Sequence, residues 1–142
     1  MSLQFESGIK QIPYSQQRVF DKLSDFTLLK DYEDRLSEIP SDTVKVEDLR
    51  FNTDSVSCRI SPLGSLDLHI IEREEPKCIK YEATTSPIPL TIWAQILPTG
   101  DESCKLKMTL RTELNFLLKG MLQKPLQEVI EKLADALAVM PY

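Results

Sequence analysis

Apolar side chains recur at helical spacing through the last stretch of the chain. From Asn115 to Met140, the residues Met121, Leu122, Leu126, Val129, Ile130, Leu133, Ala134, Leu137 and Ala138 fall on one stripe. Gln127, Glu128, Glu131, Lys132 and Asp135 fill the other side. Such a helix runs roughly 35 Å, at about 1.5 Å per residue. Its stripe is wide enough to require an equally apolar surface beneath it. Pro125 lacks an amide donor and disfavours helical geometry at Lys124. With Gly120 close upstream, the sequence predicts a kink or a fresh helix start around 120–125, and the start is preferred.

The preceding residues supply that surface. Over 3–12, Leu3, Phe5 and Ile9 alternate with Gln4, Glu6 and Lys10, the pattern of a half-buried strand that Pro13 ends. Ser15 is placed to cap a short helix with Val19, Phe20 and Leu23 on its buried edge. A second begins near Ser24 or Asp25 and carries Leu28, Leu29, Tyr32 and Leu36 before Ile39-Pro40. Strands follow at Thr43–Phe51 and Ser55–Ser61, joined by the polar turn Asn52-Thr53-Asp54. After the turn Pro62-Leu63-Gly64-Ser65, Leu66, Leu68 and Ile70 alternate with Asp67 and His69. Ile79, Tyr81 and Ala83 alternate with Lys80 and Glu82. Pro87 and Pro89 interrupt pairing before Leu90–Leu97, which is apolar on both parities except for Thr91 and Gln95. Cys104, Leu106, Met108 and Leu110 then alternate with Lys105, Lys107 and Arg111, the cleanest period of two in the chain. The expectation is one α+β domain over residues 1–142. It has about seven antiparallel strands, two short helices after the first, and a long C-terminal helix across the sheet.

Composition narrows the function only slightly. A net charge of −5 argues against a nucleic-acid partner, which needs a clustered basic face. No apolar run approaches the ~20 residues of a membrane span, and the N-terminus lacks the basic start and apolar block of a secretory signal, so the expected location is the cytoplasm. Oligomeric state is not legible. Cys58, Cys78 and Cys104 have no metal-ligand spacing and one histidine between them, so no metal or other cofactor is expected. Cys58 and Cys104 stand in step with apolar faces, as small core residues.

Two local patterns, together with the order of elements, resemble the START-like (SRPBCC) superfamily. One is Val19-Phe20 followed by Leu23-Ser24-Asp25. The other is Thr112-Glu113-Leu114-Asn115 leading into Lys124-Pro125-Leu126 and Leu133-Ala134-Asp135, which is similar to the close of short bacterial members labelled polyketide cyclase or dehydrase. The resemblance spans nearly the whole chain and implies a helix-grip fold, a curved sheet around a long helix, often with a cavity between them. The superfamily includes lipid and hormone carriers, aromatic-polyketide cyclases, oxygenase substrate domains and chaperone-ATPase activators, so fold does not settle function. No functional residue of the superfamily maps onto this sequence one for one.

Candidate chemistry is sparse. His69 is the sole imidazole, and its parity puts it on the polar face beside Asp67. Glu113 shares the polar parity of Lys105, Lys107 and Arg111. The acidic cluster Asp31, Glu33, Asp34, Glu38 and Asp42 reads as the wet side of the second short helix. The candidate ligand-binding residues are Tyr81, Trp93, Gln95, Met108 and Met121. A four-residue loop at 99–102 puts Trp93 opposite Met108 and Gln95 opposite Leu106, facing inward. A loop differing by one residue brings Ile92, Ala94 and Ile96 inside instead. The leading expectation is a protein that binds a small apolar or amphipathic molecule between sheet and helix. The alternatives are a cyclase- or hydrolase-like enzyme using Tyr81 and Gln95, and a chaperone-activator-type interaction module.

Overall fold

The computed structural model describes residues 2–32, 45–61 and 63–142. Leu36, Ile39-Pro40 and most of the acidic cluster lie outside these residues. The elements are β1 (Ser2–Glu6), β2 (Lys10–Ile12), α1 (Gln16–Leu23), a 3-10 helix (Phe26–Tyr32), β3 (Lys45–Phe51), β4 (Ser55–Ser61), β5 (Gly64–Glu74), β6 (Cys78–Thr85), β7 (Leu90–Gly100), β8 (Ser103–Glu113) and α2 (Phe116–Ala138). The strands form one antiparallel sheet ordered β1-β8-β7-β6-β5-β4-β3, with β2 continuing along the β8 edge beyond β1. The long helix rests on β1, β2 and β8, so the inner face of β3–β5 extends beyond its cover. This is the helix-grip architecture expected from the sequence.

Both short elements after β2 follow local rules. Ser15 caps α1 by accepting from the Arg18 amide, and Val19, Phe20 and Leu23 are buried. In the 3-10 helix Leu29 is buried while Leu28 stays exposed.

The first predicted strand is broken in two, and this changes which side chains face the helix. Pairing advances by one residue between Glu6↔Thr109 and Lys10↔Leu106. At the break the Ser7 amide donates to the Met108 carbonyl, and the Met108 amide donates back to the Ser7 hydroxyl at 2.9 Å. The extra residue flips the alternation. Ile9, expected inside, is 60% exposed, and Lys10 turns inward beneath α2.

There Lys10 Nζ lies 2.6 Å from Glu131 Oε1 and 2.7 Å from Asp135 Oδ1. The Gly8 amide donates to Glu131 Oε2, and Gln127 Nε2 donates to the Glu6 carbonyl. Helix residues expected to face solvent therefore clamp α2 to the sheet edge. The Lys10 ammonium and the Gly8 amide hold the Glu131 carboxyl below its ordinary range, and Asp135 and Glu131 hold Lys10 above its own. Glu131 thus contributes stability above about pH 4.5, lost as pH falls through its lowered folded value. Lys10 contributes below about pH 10.5, lost as pH rises through its raised one. Both groups are partly exposed, so Glu131→Gln is expected to cost about 1 kcal/mol at neutral pH. The difference from wild type should shrink to nothing under acid, as read by urea unfolding from pH 3 to 7.

The helix begins at Phe116, not at 120–125. Asn115 is extended and its side chain accepts from the Leu118 amide at 2.8 Å. That cap, with Leu122 buried about two turns on, holds the early turns helical and leaves Pro125 inside. Pro125→Ala is therefore expected to stabilise the protein. The intrinsic gap of ~3 kcal/mol shrinks to about 1–2 kcal/mol because water reaches the outer side of these turns, and calorimetric melting reads the change.

Candidate functional site

The β7–β8 register decides what faces the helix. Pro98 pairs with Cys104 and Gly100 with Ser103, which leaves Thr99 unmatched as a bulge before the two-residue turn Asp101-Glu102. That one residue places Trp93 opposite Thr109 and Gln95 opposite Lys107, and it turns Ile92, Ala94 and Ile96 into the core. The inward placement of Trp93 and Gln95 is thereby corrected. Trp93 lies half-buried on the outer face, with Lys80 Nζ 5.5 Å and Arg111 Cζ 5.4 Å from its ring centroid. Gln95 is exposed.

Met121 is corrected as well, being 62% exposed. The buried stripe of α2 is narrow, running through Leu122, Leu126, Ile130, Ala134 and Leu137. Met121 is rotated by about 100° from Leu122 and leaves it. Of the five candidates, Tyr81 and Met108 share a cavity and Trp93, Gln95 and Met121 do not.

That cavity has a volume of about 140 Å³ and sits where the sheet extends past the helix. Its floor includes Tyr81, Met108 and Ile92, with Cys58 and Val56 from β4. Its roof is Val129, Leu133 and Leu137 from the second half of α2, and Leu23, Phe26 and Leu29 close one end. The β3 wall consists of Val46, Leu49 and Phe51, all half-buried. Their spacing does not fit a simple strand. A bulge between Glu47 and Arg50 supplies the extra residue, with Asp48 at φ 57°, a conformation that Asp tolerates better than most residues. The bulge keeps all three side chains on the inner face. The irregular 46-49-51 spacing was the available sequence signal for this wall.

Polar atoms in the cavity are few and uncharged. The Tyr81 hydroxyl is buried and donates to the Leu23 carbonyl at 2.8 Å, and its ring packs on Phe26 at 5.6 Å. Burial raises the Tyr81 pKa well above its ordinary value. The Cys58 thiol is pushed up to about 11 by burial and by the Asp67 charge, which keeps it protonated. Cys58 and Cys104 are buried and free, as their parity implied. His69 lies away from the cavity, paired with Ser55 and Glu82, and Glu113 is exposed at the end of β8. No carboxylate, imidazole or ammonium is among the described lining residues.

No protein-family model matches the chain, nor does the sequence of any curated protein. Solved structures do share its fold. Norcoclaurine synthase from Thalictrum flavum, in complex with dopamine and hydroxybenzaldehyde, aligns at a TM-score of 0.67 and 13% identity over 97% of this chain and 85% of that one. The Zhui aromatase/cyclase from Streptomyces sp. R1128 aligns at 0.61 and 14%, over 97% and 92%. A START superfamily protein from Mycobacterium smegmatis aligns at 0.58 and 15%, over 96% and 94%. The chain shares the helix-grip fold of these structures. Among the described residues no helix is long and apolar enough to cross a membrane.

Proposed function

We propose that the protein binds a small apolar molecule in the cavity between β3–β8 and the second half of α2. The supporting observation is a void of about 140 Å³ whose described lining is apolar apart from a protonated thiol and a hydroxyl already donating to the backbone. An apolar void of about 150 Å³ stays dry and takes up benzene, so this one suits a single aromatic ring or a short hydrocarbon segment. A polar end of the ligand would point past the half-buried β3 wall toward water. The T. flavum enzyme of the same fold holds two small aromatic molecules, which favours the aromatic form of the ligand. Catalysis by a cyclase- or hydrolase-like mechanism asks for an acid or base that the described lining does not supply.

Calorimetric titration with benzene, indole and octanoate tests the proposal. At least one should bind saturably with a negative heat-capacity change, and no saturable binding by any would refute it. Trp93→Phe and His69→Ala should leave the affinity unchanged, since neither side chain reaches the cavity.

A further inference from the structure

The corner between α1 and the 3-10 helix is held by side chains from the sheet. The last carbonyls of a helix have no partner within it. Here the Leu23 carbonyl accepts from the Tyr81 hydroxyl. The Ser24 carbonyl accepts from Arg73, Nη2 at 2.9 Å and Nε at 3.3 Å. Arg73 Nη2 also donates to Asp54 Oδ1 at 2.6 Å in the β3–β4 turn, and the Phe26 amide donates to the Thr53 carbonyl beside it. A cation suits the negative end of a helix. One guanidinium thus ties the end of α1 to the β3–β4 turn.

Arg73 reaches that position through a bulge. In β5, Leu66, Leu68 and Ile70 alternate inward, and a regular strand would bring Glu72 in next. The pairing instead skips a residue between Ile70↔Tyr81 and Glu72↔Lys80. Ile71 is the extra residue, 48% exposed, and Arg73 then stands opposite the buried Ile79 on the inner face. The bulge exchanges a carboxylate, which would repel the Ser24 carbonyl, for a guanidinium that bonds it and Asp54 together.

Leu23, Phe26 and Leu29, carried on this corner, close one end of the cavity. We propose that Arg73 is a positioning residue for the cavity, pinning this end wall and so fixing the longest hydrocarbon chain that fits. The inference rests on the cavity reading above, in which a ligand with its polar end past the β3 wall sends its tail toward the end wall. Once the guanidinium is removed, the Ser24 carbonyl loses its tie to the sheet, and the wall yields to a longer tail.

The test is calorimetric titration of the full chain with 1-alkanols from pentanol to decanol. In the wild type, affinity should rise about fourfold per methylene until the tail meets the end wall, then stop rising. Arg73→Met should move that break by at least two methylenes, so that the longer alkanols bind at least tenfold more tightly than to the wild type. Arg73→Lys, which keeps the charge but lacks the fork, should move it less and serves if the Met variant does not fold. Glu131→Gln loosens the other side of α2 and should leave the break in place. An unmoved break in the folded Arg73 variants overturns this inference alone, and so does an equal shift in Glu131→Gln. Failure of every alkanol to bind the wild type overturns the cavity reading and this inference with it.

Discussion

A chain ending at Glu113 is expected to lose cooperative folding altogether. The deletion removes Leu122, Leu126, Ile130 and Leu137, all buried on the sheet, together with Leu114, Met140 and Tyr142, which are buried as well. Each such side chain contributes roughly 1.5–3 kcal/mol on burial. Their loss matches or exceeds the ~5–15 kcal/mol net stability of an ordinary domain. It also strips the clamp on Lys10 and Gly8, and the contacts that tie the last residues to α1. There Arg18 Nη2 donates to the Tyr142 carbonyl at 2.6 Å, and Lys22 Nζ donates to the Pro141 carbonyl at 2.9 Å. Circular dichroism with heating reads the outcome. A soluble truncated chain with a sharp thermal transition would show that the helix is an appendage to a self-sufficient sheet.

Filling the cavity is expected to cost ligand affinity at least 100-fold, or ~2.7 kcal/mol, without unfolding the protein. Val129 projects from the roof and is only half-buried. In Val129→Trp the indole occupies space otherwise open to a single ring. Filling a void restores dispersion contacts that its walls lack, so the melting temperature should hold or rise. If the larger ring overpacks, with a penalty of about 1–3 kcal/mol, Val129→Phe gives the milder version of the same test. Titration with whichever probe binds the wild type decides it. Undiminished affinity in a folded Val129→Trp protein would move the binding site elsewhere. Trp93 fluorescence should stay silent throughout, since that ring reports on the outer face between Lys80 and Arg111.

The opposite fates of Tyr81 and Trp93 show where sequence reading works and where it stops. Tyr81 sits in a strand that alternates cleanly as Ile79-Tyr81-Ala83, so its face follows from parity alone. Trp93 sits in Leu90–Leu97, where both parities are apolar and only the pairing partner chooses a face. That choice passed to the bulge at Thr99, a backbone insertion with no side-chain signature of its own.

Much of this protein was determined by local pattern. The Ser15 cap, the buried edge of α1, the period-two faces of β5, β6 and β8, and the long amphipathic helix all rest on interactions within a few residues of one another. The tertiary structure decided three things that such interactions cannot reach. Bulges near Gly8, Asp48 and Thr99 sent Ile9 and Trp93 out, brought Lys10 under the helix, and kept Val46, Leu49 and Phe51 around the cavity. The resting place of α2 over β1, β2 and β8 left a void beyond its edge. The narrowness of the buried stripe put Met121 in solvent, because a hydrophobic period gives an axis while only the facing surface sets how much of it is covered.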